Sequence, residues 1–259
     1  MIDRRGRDRR PEIAELTEQE IAKTIDHSLL RPELDDAFIA AGCELAARYA
    51  VASVCVRPDD VRRALAILAG TDVAVGTTIG FPHGGHATAT KVDEARRALA
   101  DGATELDMVI QIGAVKSGRD ADVEADIRAV VEPAHATGAI VKVIFENAYL
   151  TDDEKVRACR LTAAAGGDFV KTSTGFAATG ATHDDLRLMR ASTPDHIGVK
   201  AAGGVRTLDA LLDVMALGVT RIGATATEAI IEDFRARKRG TPSPTADPDA
   251  VASATAGSY

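Results

Sequence analysis

The chain has 259 residues, 46% hydrophobic and 27% charged, with a net charge of −8. That length buries one large core and is ordinary for a single α/β barrel, and the acidic balance argues against broad binding to nucleic acid or anionic membranes. Cys43, Cys55 and Cys159 are odd in number and contain no C-x-x-C pair, so no disulfide framework is expected and the cytoplasm is the expected compartment.

Met1–Arg10 carries five arginines and no apolar stretch, unlike a signal peptide. Residues 1–12 are therefore read as a disordered extension. No apolar run approaches the roughly 20 residues of a membrane span. From Thr24 to about Arg239, short β-branched runs alternate with helical stretches. Strands are predicted at Thr24–His27, Ala52–Val56, Val73–Ile79, Glu105–Val109, Val141–Glu146, Phe169–Thr172, Gly198–Lys200 and Arg221–Gly223. Between them, helices are predicted at Pro58–Ala69, Thr90–Ala100, Ala121–His135, Asp152–Ala165, Asp184–Ala191 and Leu208–Leu217. Thr151-Asp-Asp-Glu154 reads as a capping box, and Gly70, Gly102, Gly138, Gly166 and Gly218 follow helix ends.

Eight strands with intervening helices predict one (β/α)₈ barrel over residues 13–239. The alternative, a doubly wound sheet, usually shows a Gly-rich turn after its first strand, and Thr24–Leu34 has none. Residues 240–259, rich in Pro, Thr, Ala and Ser, read as a flexible tail ending in Tyr259. The outer helices of a barrel are surfaces on which copies often pair, so a homo-oligomer is allowed without being specified.

Two lysines carry the chemical reading. Lysine is the scarcer cation, 8 Lys against 23 Arg, yet Lys171 and Lys200 both end apolar strands just before glycine-bearing loops. A lysine amine deprotonates when buried and forms Schiff bases, which arginine does not. Catalytic groups of barrels sit at the C-terminal strand ends, and a spacing of one βα unit puts these two side chains on adjacent strands. A free lysine is neutral in only about one molecule in 2,500 at pH 7. Burial and a neighbouring ammonium both favour the neutral nucleophile. The bland alternative is that each lysine merely balances a phosphate or carboxylate.

Lys142 is a third strand lysine, either a supporting charge in the substrate pocket or a paired core residue. Asp107 sits in a predicted strand, where a carboxylate is costly unless paired. It reads as a proton shuttle or a structural partner of a lysine. Asp26, at the end of the first strand, is a second acid suited to orienting a substrate hydroxyl or the lysines. Gly203 and Gly204 precede a helix start and Arg206, a common phosphate cradle. Thr172, Ser173, Thr174 and Gly175, with Gly223 and Thr225, are candidate further donors. His83 and His86 flank two glycines without an evident third ligand, so metal ligation is not expected. Cys55 reads as a small apolar strand residue.

Four segments in order, Thr24–Leu30, Glu105–Ile110, Phe169–Gly175 and Val199–Arg206, make the chain resemble the deoxyribose-phosphate aldolases, a class I aldolase family. The resemblance covers about Ile21 to Gly223. It implies a (β/α)₈ barrel that reversibly cleaves 2-deoxy-D-ribose 5-phosphate to acetaldehyde and D-glyceraldehyde 3-phosphate, with no metal or organic cofactor. It also implies that Lys171 is the Schiff-base lysine, Lys200 its pKa-lowering partner, and Asp107 the proton donor and acceptor. A terminal tyrosine on a mobile tail assists proton transfer in some members, a role that Tyr259 fits. Two departures stand out. Gln111 replaces the usual Asn, and Thr225-Ala226 replaces two serines, a loss of about 1 kcal/mol of phosphate binding if the second hydroxyl is not replaced. Rival readings are a class I aldolase for non-phosphorylated aldehydes, a metal-dependent aldolase using the His83/His86 loop, and a catalytically silent sugar-phosphate-binding barrel.

Overall fold

Eight parallel strands close into a barrel in chain order. The computed structural model describes residues 9–241. The strands are β1 (Ile25–Leu29), β2 (Ser53–Val56), β3 (Ala74–Ile79), β4 (Glu105–Val109), β5 (Ile140–Ile144), β6 (Phe169–Lys171), β7 (Gly198–Ala202) and β8 (Arg221–Ala224). Each predicted strand is present, β4 with the predicted bounds and the others with ends shifted by at most two residues. Ladders run around the ring, and β8 pairs with β1 through Asp26↔Gly223 to close it.

Helices α1 (Glu18–Ala22), α2 (Asp36–Arg48), α3 (Val61–Ile67), α4 (Thr88–Ala100), α5 (Ile112–Lys116), α6 (Asp120–Ala136), α7 (Asp152–Ala165), α8 (His183–Ala191), α9 (Leu208–Ala216) and α10 (Thr227–Arg239) lie between and around the strands. Of these, α1, α2, α5 and α10 are not among the helices named from the sequence. The start and end of α7 follow the sequence signals. Thr151 and Glu154 form a reciprocal capping box, and Gly166 stops the helix at φ 86.

Parallel strands in a barrel are buried on both faces, so alternation separates two interiors rather than inside from water. In β4, Leu106 and Met108 belong to the apolar core beneath the helices and are fully buried. Glu105 and Asp107, on the alternate face, are buried as well. They point into the barrel, because Asp107 bonds Lys171 of β6 and Lys200 of β7. Across the ring, Asp26 of β1 meets Lys142 of β5 at 2.8 Å, a contact that only the lumen permits. The barrel is thus filled by an ionic cluster in place of the usual branched aliphatic layers.

At the chain's start, Arg10 pairs with Asp209 and lies 3.3 Å from Asp213. Lys238 of α10 donates to the carbonyls of Ala14 and Leu16 at 2.9 and 2.8 Å. Most of the expected N-terminal extension and nearly all of the expected tail, including Tyr259, lie outside the described residues.

Candidate active site

The register of β6 and β7 sets Lys171 directly beside Lys200. Both ammonium groups reach one atom, Asp107 Oδ2, each at 2.7 Å. Lys200 also touches Asp26 Oδ2 at 2.5 Å. One layer lower, Lys142 lies 2.8 Å from Asp26 and 2.5 Å from Glu105. Its Nζ is 3.2 Å from Asp107 Oδ1, without hydrogen-bonding geometry. Arg221 closes the floor, pairing with Asp26 and, at 2.8 Å, with Glu105 Oε1. Its guanidinium lies over the Phe169 ring, 5.9 Å from the centroid. Gly198 leaves room for that ring, since a Cβ there would meet it at 2.2 Å.

The two strand-end lysines diverge electrostatically. Burial holds the Lys171 amine below the ordinary lysine range, the nearby Lys200 adds to this, and Asp107 opposes it. Burial acts on Lys200 in the same sense, but Asp107 and Asp26 outweigh it and leave that amine raised. Lys142 is likewise raised well above the usual range by Asp107, Asp26 and Glu105 against burial. Asp26 and Asp107 stay well below the carboxylate range despite burial, because these cations surround them. The cluster therefore offers one amine biased toward its nucleophilic form beside two ionised acids and a charged ammonium.

Above the cluster opens a cleft of about 720 Å³, mouth included, lined by Asp26, Lys171, Gly175, Lys200, Gly203, Gly204, Arg206, Gly223 and Thr225 among others. These nine belong to the expected set of site residues. At one end the backbone turns through Gly203 and Gly204 at φ 78 and 98, a conformation that glycine adopts without a Cβ penalty. Gly203 also packs on Gly180 of the preceding loop, where a Cβ would fall 2.8 Å from the Gly180 Cα. Thr207 then caps α9 by accepting from the Ala210 N–H. This turn presents its backbone to the cleft beside the exposed Arg206 and Thr225.

Several expected residues lie elsewhere. Asp107 is fully buried beneath the lysines and does not line the cleft. Thr172 and Lys142, expected to bind substrate, do not face the cleft. The Thr172 hydroxyl exchanges hydrogen bonds with the Ala202 backbone at 3.0 and 3.2 Å, and Lys142 is committed to the floor of the cluster. Gln111 turns away from the phosphate end altogether. Its amide donates to Asp126 at 3.1 Å and Thr88 at 3.3 Å, joining a buried pair of Lys91 and Asp126 at 2.6 Å. The extra methylene of Gln111 thus serves α4–α6 packing. His83 and His86 are exposed, on a loop where Gly84 leaves no room for a Cβ against the Ile110 carbonyl. Cys55 is a buried residue of the cleft wall, its thiol pushed up by burial to about 11.

Four residues of this site were not singled out from the sequence. Glu105 and Arg221 complete the cluster, and period-two alternation is the signal that points to them: each lies two residues before an expected site residue on the same face, Asp107 and Gly223. Glu146 is 2% exposed with left-handed φ 56, an uncommon conformation for a non-glycine residue. Its carboxyl accepts from the Thr174 hydroxyl and from the Thr174 N–H at 3.3 Å, tying down the loop that follows Lys171. Phe176, 42% exposed, forms an apolar part of the cleft wall and meets the Phe81 ring edge-on at 5.3 Å.

Comparison with known proteins gives the same direction. Residues 20–233 match the model of the DeoC/LacD family aldolases. A deoxyribose-phosphate aldolase of Rhodopirellula baltica is 49% identical over 223 residues, 86% of this chain and 92% of the relative. Deoxyribose-phosphate aldolase 2 of Bacillus licheniformis is 53% identical over 211 residues, 82% and 94% of the two chains. Among solved structures, the tetrameric deoxyribose phosphate aldolase of Aeropyrum pernix superimposes with a TM-score of 0.79 at 27% identity, covering 85% of this chain and 93% of that one.

Proposed function

Since this chain belongs to the DeoC/LacD family of aldolases, we propose that it reversibly cleaves 2-deoxy-D-ribose 5-phosphate to D-glyceraldehyde 3-phosphate and acetaldehyde through a Schiff base on Lys171. The observation that carries the reading is the convergence of Lys171 and Lys200 on Asp107 Oδ2 at 2.7 Å, with both lysines lining the cleft.

The neutral Lys171 amine adds to C1 of the open-chain sugar. Loss of water, with protons passed by Asp107 and Lys200, gives an iminium ion. Removal of the C3 hydroxyl proton then breaks C2–C3, and the electron pair moves into the iminium as an enamine. D-glyceraldehyde 3-phosphate departs with C3 as its aldehyde carbon. Protonation of the enamine at C2 and hydrolysis release acetaldehyde and restore the amine. Asp26 holds Lys200 in place at 2.5 Å, while Gly203, Gly204, Arg206 and Thr225 receive the phosphate. Tyr259 is assigned no step.

The near-full-length relatives, which share this reaction in their names, favour a phosphorylated substrate. Three buried free thiols suit a reducing compartment, the cytoplasm. Self-association is a companion reading, after the tetrameric relative, and sedimentation of the purified chain tests it. The decisive experiment traps the intermediate with borohydride and 2-deoxyribose 5-phosphate, then locates it by peptide mass spectrometry. A two-carbon adduct on Lys171 is expected. An adduct on Lys200 or Lys142 reverses the roles, and no adduct with bound substrate indicates a silent sugar-phosphate-binding barrel.

A further inference from the structure

The buried cluster has more cations than carboxylates. Lys142, Lys171, Lys200 and Arg221 face Asp26, Glu105 and Asp107, one positive charge in excess. The carboxylates are shared unequally. Lys142 lies against Asp26, Glu105 and Asp107, and Lys200 against Asp26 and Asp107. Arg221 occupies Asp26 and Glu105. Among the described residues, Lys171 forms an ion pair with Asp107 alone, through an oxygen already taken by Lys200. Like Lys200, it borders the open cleft.

Resting on the reading of Lys171 as nucleophile, we propose that Arg221 is a positioning residue for the reaction: by occupying Asp26 and Glu105 on the barrel floor, it leaves the cluster one positive charge too many, and the surplus is relieved by loss of a proton from Lys171. Arginine suits this role because it does not deprotonate in proteins. Lysine at the same place would itself be a candidate to shed the proton, yet the two carboxylates beside it, Asp26 and Glu105, would keep it charged. Lys142 and Lys200 are held in the charged form in that way.

The groups around both ends are accounted for. Lys171 faces Asp107 from β4, Glu146 just past β5, Lys200 from β7 and Cys55 from β2. The Glu146 carboxyl is turned to Thr174 and forms no ion pair among the described residues. The Cys55 thiol is neutral at pH 7, with its pKa near 11. Arg221 faces Asp26, Glu105, Lys142 and the Phe169 ring, and is the β8 register partner of Lys200.

The test compares three variants by the pH dependence of Lys171 labelling with substrate and cyanoborohydride, alongside the acid limb of kcat/KM. Arg221→Met keeps apolar packing on Phe169 and removes the surplus. Its labelling midpoint and acid limb should move up by at least about one pH unit, a tenfold loss of adduct at pH values below both midpoints. Glu105→Gln enlarges the surplus and should move both down. Arg221→Lys retains the charge and should stay near wild type. An unmoved midpoint in folded Arg221→Met overturns the proposal, as do Arg221→Met and Glu105→Gln moving in the same direction. Should Arg221→Met not fold, the sign of the Glu105→Gln shift decides alone, an upward or absent shift overturning the proposal. If wild-type labelling appears on another lysine, the nucleophile assignment has failed and this inference falls with it; wild-type labelling on Lys171 with unmoved variants refutes the role of Arg221 only.

Discussion

Replacing Gly203 or Gly204 by alanine separates two costs that adjacent residues carry differently. Both have left-handed backbones, φ 78 and 98, which an L-residue occupies at about 1–2 kcal/mol. At Gly204 an added Cβ meets nothing within 4 Å, so that strain is the whole cost. At Gly203 the Cβ would fall 2.8 Å from the Gly180 Cα, a backbone atom that moves only with its loop. Overpacking of this kind adds about 1–3 kcal/mol, bringing Gly203→Ala to about 3 kcal/mol. With about 2–4 °C of Tm per kcal/mol for a domain of this size, Gly204→Ala should lose about 2–8 °C and Gly203→Ala about 6–12 °C. Thermal unfolding by circular dichroism reads both. The Gly203 change also displaces the phosphate end of the cleft, so KM for deoxyribose 5-phosphate should rise while turnover of unphosphorylated deoxyribose is spared. Equal Tm losses, or a larger loss at Gly204, would refute the argument from close approach.

Three further outcomes are expected. Lys171→Met should abolish turnover and adduct formation, yet leave Tm unchanged or higher, because it replaces the buried amine on which the balance of charge in the cluster depends least; calorimetry showing a large destabilisation would contradict that account. Lys200→Leu removes a like charge that lowers Lys171, so the acid limb of kcat/KM should move to higher pH. Because the Lys200 pKa is raised, its stabilising contribution is complete below the ordinary lysine value and fades only as pH rises through the folded one. The variant should therefore also be less stable throughout the neutral range, by about 3–5 kcal/mol for one partner of a buried pair, measurable by urea denaturation. Glu146→Ala strips Thr174 of its acceptor and should cost about 1–3 kcal/mol and lower kcat, whereas Glu146→Gln keeps an acceptor and should retain most of both.

Much of this architecture was legible because parallel strands are apolar runs with clear interruptions. The eight strands, the pairing of Lys171 with Lys200 and the glycine turn before α9 all follow from local pattern and spacing. What escaped is long-range. Asp26 and Lys142 are 116 positions apart and meet only because β1 and β5 face each other across a closed ring. Lys142 sits on the right strand at the wrong depth, since a strand pattern gives the face of a side chain but not its layer, and Thr172, one residue past the end of β6, is drawn to the Ala202 backbone. Gln111 lies near the mouth in sequence, but α6 draws it outward through Asp126. The left-handed backbone of Glu146 carries no local signature, as glutamate has no preference for it.

The aromatic at the cleft rim makes this enzyme observable by light. The chain has no tryptophan and only three tyrosines, so its intrinsic emission is faint. Phe176 combines a partly solvated ring, a place in the cleft wall and an edge-on contact with the Phe81 ring at 5.3 Å. An indole put there by Phe176→Trp would be the molecule's only one, and its emission maximum would follow the polarity of the cleft mouth. Substrate entry and product departure could then be timed in a stopped-flow instrument, apart from the chemistry on the lysine below.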